Sequence, residues 1–141
     1  MAARRIVLDT NVLVSAIRSR RGASFRLVSE VGRGHFEIFV SVPLVLEYEA
    51  AMLERRPPSV SDEDLESILD YLCSEARHQQ IYYLWRPLLR DAKDDLVLEV
   101  AVAGRCQAIV TYNIRNFAGA EQFCLRVVTP LAFLREIGVL A

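Results

Sequence analysis

Acids, or their amides, stand at four places where the chain's strands end or its helices begin. They are Asp9, Glu47, the cluster Asp91, Asp94 and Asp95, and the pair Asn113 and Asn116. The apolar run Ile6-Val7-Leu8 reads as a strand buried on both faces, as in a parallel sheet, and it stops on Asp9. Open α/β sheets bind ligands outside the carboxyl ends of their strands, so a carboxylate there is a candidate for chemistry. Leu96 to Ala103 is apolar all round except Glu99, the pattern of a buried helix, and Asp94 and Asp95 lead into it. Like charges crowded at a buried helix start repel, and their pKa values rise unless a cation holds them. Hard oxygen donors from several segments, with no His or Cys among them, suit Mg2+ or Mn2+ rather than zinc.

Each acid also has a plainer role. Asp9 could simply cap the first helix, and Asp91, Asp94 and Asp95 could be acids favoured by a helix dipole. Glu47 borders the stripe Leu44, Val45, Tyr48, Ala51 and Met52, but Glu49 borders it from the other side. Periodicity leaves both open.

The elements that must position these residues alternate strand with helix. After the first strand, Asn11 to Ile17 forms a helix, and Ala23 to Val31 a second with Phe25, Leu27, Val28 and Val31 on its apolar face. Phe36 to Val40 is strand two. Ser41-Val42-Pro43 opens a helix to about Leu53, and Ser61-Asp62-Glu63-Asp64 caps another that runs to about Arg77. Gln80 to Trp85 reads as strand three, Ala108 to Thr111 as strand four, Asn113 to Phe117 as a helical turn, and Leu125 to Val128 as strand five. Pro130 starts a last helix to Glu136. The alternation implies one parallel sheet covered on both faces.

The 141 residues fit one domain, 1–141, and at 52% hydrophobic they exclude disorder as a description of the whole. No run reaches the roughly 18–20 apolar residues that span a bilayer. The apolar run after Arg4 and Arg5 is broken by Asp9 and Asn11, so it is not a signal peptide, and a cytoplasmic protein with no membrane partner is expected. Cys73, Cys106 and Cys124 are odd in number and widely spaced, fitting neither a disulfide framework nor a zinc site. The net charge of −1 gives no global basic field for nucleic acid. Sixteen of the seventeen cationic side chains are Arg and one, Lys93, is Lys.

Four stretches together resemble the PIN-domain family, of the kind found as toxins of VapBC-type toxin–antitoxin pairs. They are Leu8-Asp9-Thr10-Asn11, Ser41-Val42-Pro43-Leu44-Val45-Leu46-Glu47, Arg90-Asp91-Ala92-Lys93-Asp94-Asp95 before a helix carrying Ala101, and Val110-Thr111-Tyr112-Asn113. The resemblance implies a three-layer α/β/α sandwich around a central, mostly parallel five-stranded sheet. It implies Asp9, Glu47 and Asp94 as the catalytic and metal-binding triad, with Asp94 chosen over Asp95 because it precedes Ala101 by seven residues. Asp91 and Asp95 are then supporting or capping residues, and Thr10, Asn11 and Thr111 orient the site by hydrogen bonds.

One departure stands out. Many members of the family carry an acid after the strand-four threonine, or Asn there with Asp three residues on. This chain has Asn113 and Asn116 at those positions. Three carboxylates balance one Mg2+ comfortably and two less well, so one tight metal is expected, with a second brought by the phosphate substrate. The implied activity is an Mg2+- or Mn2+-dependent endoribonuclease acting on single-stranded RNA and leaving a 5′-phosphate and a 3′-hydroxyl.

Arg18, Arg20, Arg21, Arg55, Arg56, Arg90 and Arg115 are candidates to hold RNA, with Tyr112 as a stacking platform and Phe117 a core residue. The implied partners are a small antitoxin that packs across the helices and a second copy of the chain in a homodimer. The alternative is a PIN fold that binds RNA or protein without cutting. An aspartyl-nucleophile phosphatase wants a second acid two residues after Asp9, where this chain has Asn11.

Overall fold

The structure, a computed structural model, describes residues 3–81, 89 and 91–141. Its elements are β1 (Arg4–Leu8), α1 (Thr10–Arg18), α2 (Ala23–Ser29), β2 (Phe36–Val40), α3 (Val42–Arg55) and α4 (Asp62–Glu75). Then come β3 (Arg77–His78), α5 (Ala92–Ala103), β4 (Ala108–Val110), 3-10 turns at Ile114–Phe117 and Ala120–Phe123, β5 (Arg126–Val128) and α6 (Pro130–Glu136). The strands form one sheet in the order β3-β2-β1-β4-β5, with every pairing parallel. Helices cover it, giving the three-layer α/β/α arrangement.

β1 lies at the centre, and Ile6, Val7 and Leu8 are buried because neighbouring layers cover both of its faces. Most helices begin where a short polar side chain can take up a free N–H. Ser41 accepts from Leu44 N–H at 3.3 Å, Thr129 accepts from Ala132 N–H at 3.2 Å, and Ser61 and Asp64 close a reciprocal capping box. Pro43 and Pro130 sit in the first turns of α3 and α6, where a missing N–H costs nothing.

The strand order places the site. From β1 the chain builds outward through β2 and β3, then returns to lay β4 on the other side of β1 and β5 beyond it. The order therefore reverses between β1 and β4, and a crevice opens above their carboxyl ends. Asp9 and Thr111 are the residues that follow those two ends.

Three expectations need correcting. Strand three was expected over Gln80–Trp85, but β3 is Arg77–His78, paired with Phe39 and Val40 immediately after α4. Its two exposed polar residues suit a sheet edge and carry no apolar signal; residues 82–88 lie outside the described residues. α5 begins at Ala92 rather than Leu96, because Asp91 caps it by accepting Lys93 N–H at 2.9 Å, so Lys93, Asp94 and Asp95 occupy its first turn. Phe25, expected with Leu27 on the apolar face of α2, is exposed, and Ser24 is buried beside Leu27 instead.

The α5 to β4 connection tests how tightly this scaffold is packed. A Cβ at Gly104 would stand 2.6 Å from Phe39 Cδ2 and 3.1 Å from the Val100 carbonyl oxygen. Gly104→Ala is expected to cost about 1–3 kcal/mol of stability, as overpacking does. Urea unfolding reads it, and an unchanged midpoint would mean that the contact between α5 and β2 is slack. No helix among the described residues is long and apolar enough to cross a membrane.

Candidate active site

Asp9 ends β1, where its N–H donates to the Val110 carbonyl at 2.9 Å, so the backbone of the crevice is closed by the sheet itself. Its carboxylate accepts from Thr10 N–H at 2.8 Å and from the Thr111 hydroxyl at 2.7 Å. Asp9 does cap α1, and the charges of Asp91 and Glu47 act on the same carboxylate.

Thr111 is the hub. Its hydroxyl, fully buried, donates to Asp9 and accepts from Asn113 N–H at 2.9 Å and from Asn11 Nδ2 at 3.3 Å. One donor and two lone pairs are all a hydroxyl has, so every valence is committed. The Asn11 side-chain oxygen in turn accepts from Tyr112 N–H at 3.4 Å. Thr111→Val keeps the shape but leaves buried groups without a partner, and is expected to cost about 1–3 kcal/mol. Thr111→Ser should stay near wild type in urea unfolding; equal losses in both variants would place the effect in the methyl group's packing instead.

Asp94 comes to the same crevice from α5 and is 8% exposed. Burial, followed by the charges of Asp9, Asp91 and Asp95, pushes its carboxyl up to about 6. Burial also raises Asp9, against the pull of its hydrogen bonds from Thr111 and Thr10, and the charges of Asp91 and Glu47 raise it further. The acids sense one another, as charges sharing a site do. Asp95, though also buried, accepts from Leu89 N–H at 3.0 Å and so ties Leu89 to the first turn of α5. Asp91 is the exposed cap of α5.

Glu47 is half-buried while Glu49 is exposed, which separates two residues that periodicity left equal. Glu47 Oε1 lies 3.6 Å from Lys93 Nζ. Next to Glu47 on α3, the buried Tyr48 donates its hydroxyl to the Leu8 carbonyl, bracing the residue before Asp9. Burial and then the charge of Asp9 raise the Tyr48 phenol well above its ordinary value, keeping it a neutral donor. The sequence pattern places Tyr48 only in the apolar stripe of α3 and gives Lys93 no role in the site. A tyrosine in an apolar stripe wants a polar partner, and that was the available signal for Tyr48.

The remaining candidates divide. Arg115 is exposed in the 3-10 turn that follows Asn113, close in sequence to Thr111. Asn113 and Asn116 are exposed on the same turn. Arg18 sits at the far end of α1 from Asp9, roughly 13 Å away along a nine-residue helix. Arg18 and Arg20 instead line a cleft of about 650 Å3 with Ile17, Phe25, Val60 and Ile68. Arg21 is exposed in the loop beyond, and Arg56 pairs with Asp62. These four are not gathered beside the carboxylates. Arg90 lies outside the described residues.

Tyr112 is exposed, but its hydroxyl is bonded to Ser24 Oγ at 2.6 Å; Phe117 is buried in the core. The three cysteines are free thiols, and burial pushes Cys106 up to about 12, which leaves it inert.

The donor set fits a hard divalent ion by its chemistry: oxygen ligands only, brought from β1, α3 and α5, with Asp9 and Asp94 both raised by burial and by the charges of neighbouring acids. Among the described residues, however, no three acids stand close enough together to hold an ion as placed. Asp9 and Asp94 form the buried part of the set, and Glu47 is engaged by Lys93 at its edge.

No significant sequence match was found among curated proteins. Twelve solved chains match in structure. Among them is a chain from the crystal structure of VapBC2 from Rickettsia felis bound to a DNA fragment from their promoter. It is 19% identical with a TM-score of 0.60, over 87% of this chain and 98% of that one, a likeness of fold. The PIN domain family model matches residues 5–115, and the chain belongs to the PIN-domain family.

Proposed function

We propose that this PIN domain is a metal-dependent endoribonuclease acting as the toxin of a type II toxin–antitoxin pair. The observation that carries the reading is the meeting of Asp9 and Asp94, both buried, beyond the carboxyl ends of β1 and β4, where the charge of Asp9 adds to burial in raising the Asp94 carboxyl. Family membership supports it, since PIN domains are generally nucleases that use divalent ions. Asp9, Glu47 and Asp94 would hold Mg2+ or Mn2+, which when bound supplies an acidified water and offsets charge on the phosphate.

The chain's own residues do the rest. Thr111 and Thr10 fix both oxygens of Asp9, so that the carboxylate meets its ligand already oriented. Asn11 holds Thr111 and the backbone of Tyr112, keeping the β4 rim in register with α1. Asp91 and Asp95 set the start of α5 and thereby the position of Asp94. Arg115, exposed in the turn that follows Asn113, would meet an RNA phosphate.

An antitoxin partner is supported by the likeness of fold to a VapBC2 chain. α3 leaves Val42, Leu46 and Leu53 exposed, a surface suited to a second copy in a homodimer. A cytoplasmic site of action follows from an RNA substrate.

Purified protein incubated with end-labelled single-stranded RNA tests the reading. Cleavage is expected with Mg2+ or Mn2+, to stop with EDTA, and to leave 5′-phosphate ends. RNA that is bound but intact under either metal would support the binding-module alternative and end the nuclease reading.

A further inference from the structure

We propose that Lys93 is an internal, displaceable cation for Glu47: its ammonium holds that carboxylate in the metal-free protein and gives it up when a divalent ion arrives. The inference rests on the metal-site reading above and adds a residue that positions one of its ligands. Five observations converge on it. Lys93 Nζ stands 3.6 Å from Glu47 Oε1, between helices α5 and α3. As placed, no three acids among the described residues can hold an ion together, and Glu47 is paired with Lys93.

Lys93 also sits in the first turn of α5, where the helix dipole disfavours a cation, so the helix gains nothing from its charge. The Lys93 side chain is 65% exposed, and a pair so open to solvent contributes little to folding.

Composition supplies the last observation. Sixteen of the seventeen cationic side chains are arginine, and the one lysine is at this position. A guanidinium fork grips a carboxylate with two parallel bonds, whereas an ammonium on a flexible stem is a point charge that can swing away. The exposed Lys93 side chain has room to leave; the Glu47 side chain, 16% exposed, stays near the crevice.

Calorimetric titration of Mn2+ into wild type, Lys93→Met and Lys93→Arg tests this. Lys93→Met is expected to bind Mn2+ about three- to fivefold tighter, since Glu47 no longer exchanges a partner. Lys93→Arg is expected to bind about three- to fivefold weaker, because the fork is harder to displace. A general field effect predicts no change in Lys93→Arg, which keeps the charge, so an arginine variant matching wild type overturns the proposal. If wild type binds Mn2+ and both variants match it, Lys93 has no part in the site. If wild type binds no Mn2+ at all, the metal-site reading itself fails and takes this inference with it.

Discussion

Asp94→Asn is expected to lower RNA cleavage by about three powers of ten while making the metal-free protein more stable at pH 7. The first effect follows from losing a charged ligand whose partner ion supplies several kcal/mol to the transition state. The second follows from the environment of Asp94, whose carboxyl is pushed up to about 6 by burial and then by Asp9, Asp91 and Asp95.

In the unfolded chain the same group titrates near its ordinary 3.8. Between those two values the folded protein holds a proton that the unfolded chain has lost, so stability falls as pH rises through this window. Above about 6 the whole cost is present, on the order of 2–3 kcal/mol. Asparagine carries no such cost. Urea unfolding in EDTA should therefore show the variant ahead of wild type at pH 7, with the difference shrinking as pH falls toward 4. A variant less stable than wild type at pH 7 would make Asp94 a structural residue.

Saturating Mg2+ or Mn2+ is expected to raise the midpoint of thermal unfolding by roughly 8–11 °C at pH 7.5. A ligand present at about 100 times its dissociation constant adds about 2.7 kcal/mol, and a chain of this size gains roughly 3–4 °C per kcal/mol. The ion requires ionised carboxylates, so below about pH 6 it must first displace the proton on Asp94. The shift should be much smaller at pH 5 and absent in Asp9→Asn. Equal shifts at pH 5 and 7.5 would contradict competition between the ion and a proton on Asp94.

Much of this site is legible in the sequence, and the reason is local. Asp9 and Thr111 each follow a short apolar run, and a buried parallel strand that stops on a polar residue marks its own carboxyl end. Glu47 was harder, because two glutamates flank one apolar stripe, and only the packing of α3 shows which is covered. The start of α5 was misplaced because Asp91-Ala92-Lys93-Asp94-Asp95 is polar enough to read as a loop, although its first residue is a helix cap.

β3 was missed for a different reason. Two exposed polar residues at a sheet edge carry no periodicity, while the aromatic run that followed looked like a strand. Arg18 and Arg20 follow Asp9 closely in sequence, but α1 carries them to its other end. The contact of Lys93 with Glu47 joins two helices and leaves no trace in either segment's pattern.

The central claim is that Asp9, Glu47 and Asp94 together hold a divalent ion. Crystals of the protein soaked in Mn2+, with data collected at the manganese absorption edge, locate that ion directly. The prediction is an anomalous peak bounded by these three carboxylates, absent in Asp94→Asn crystals treated the same way. A Mn2+ peak elsewhere, or a peak that persists at the site in the Asp94→Asn protein, would contradict it.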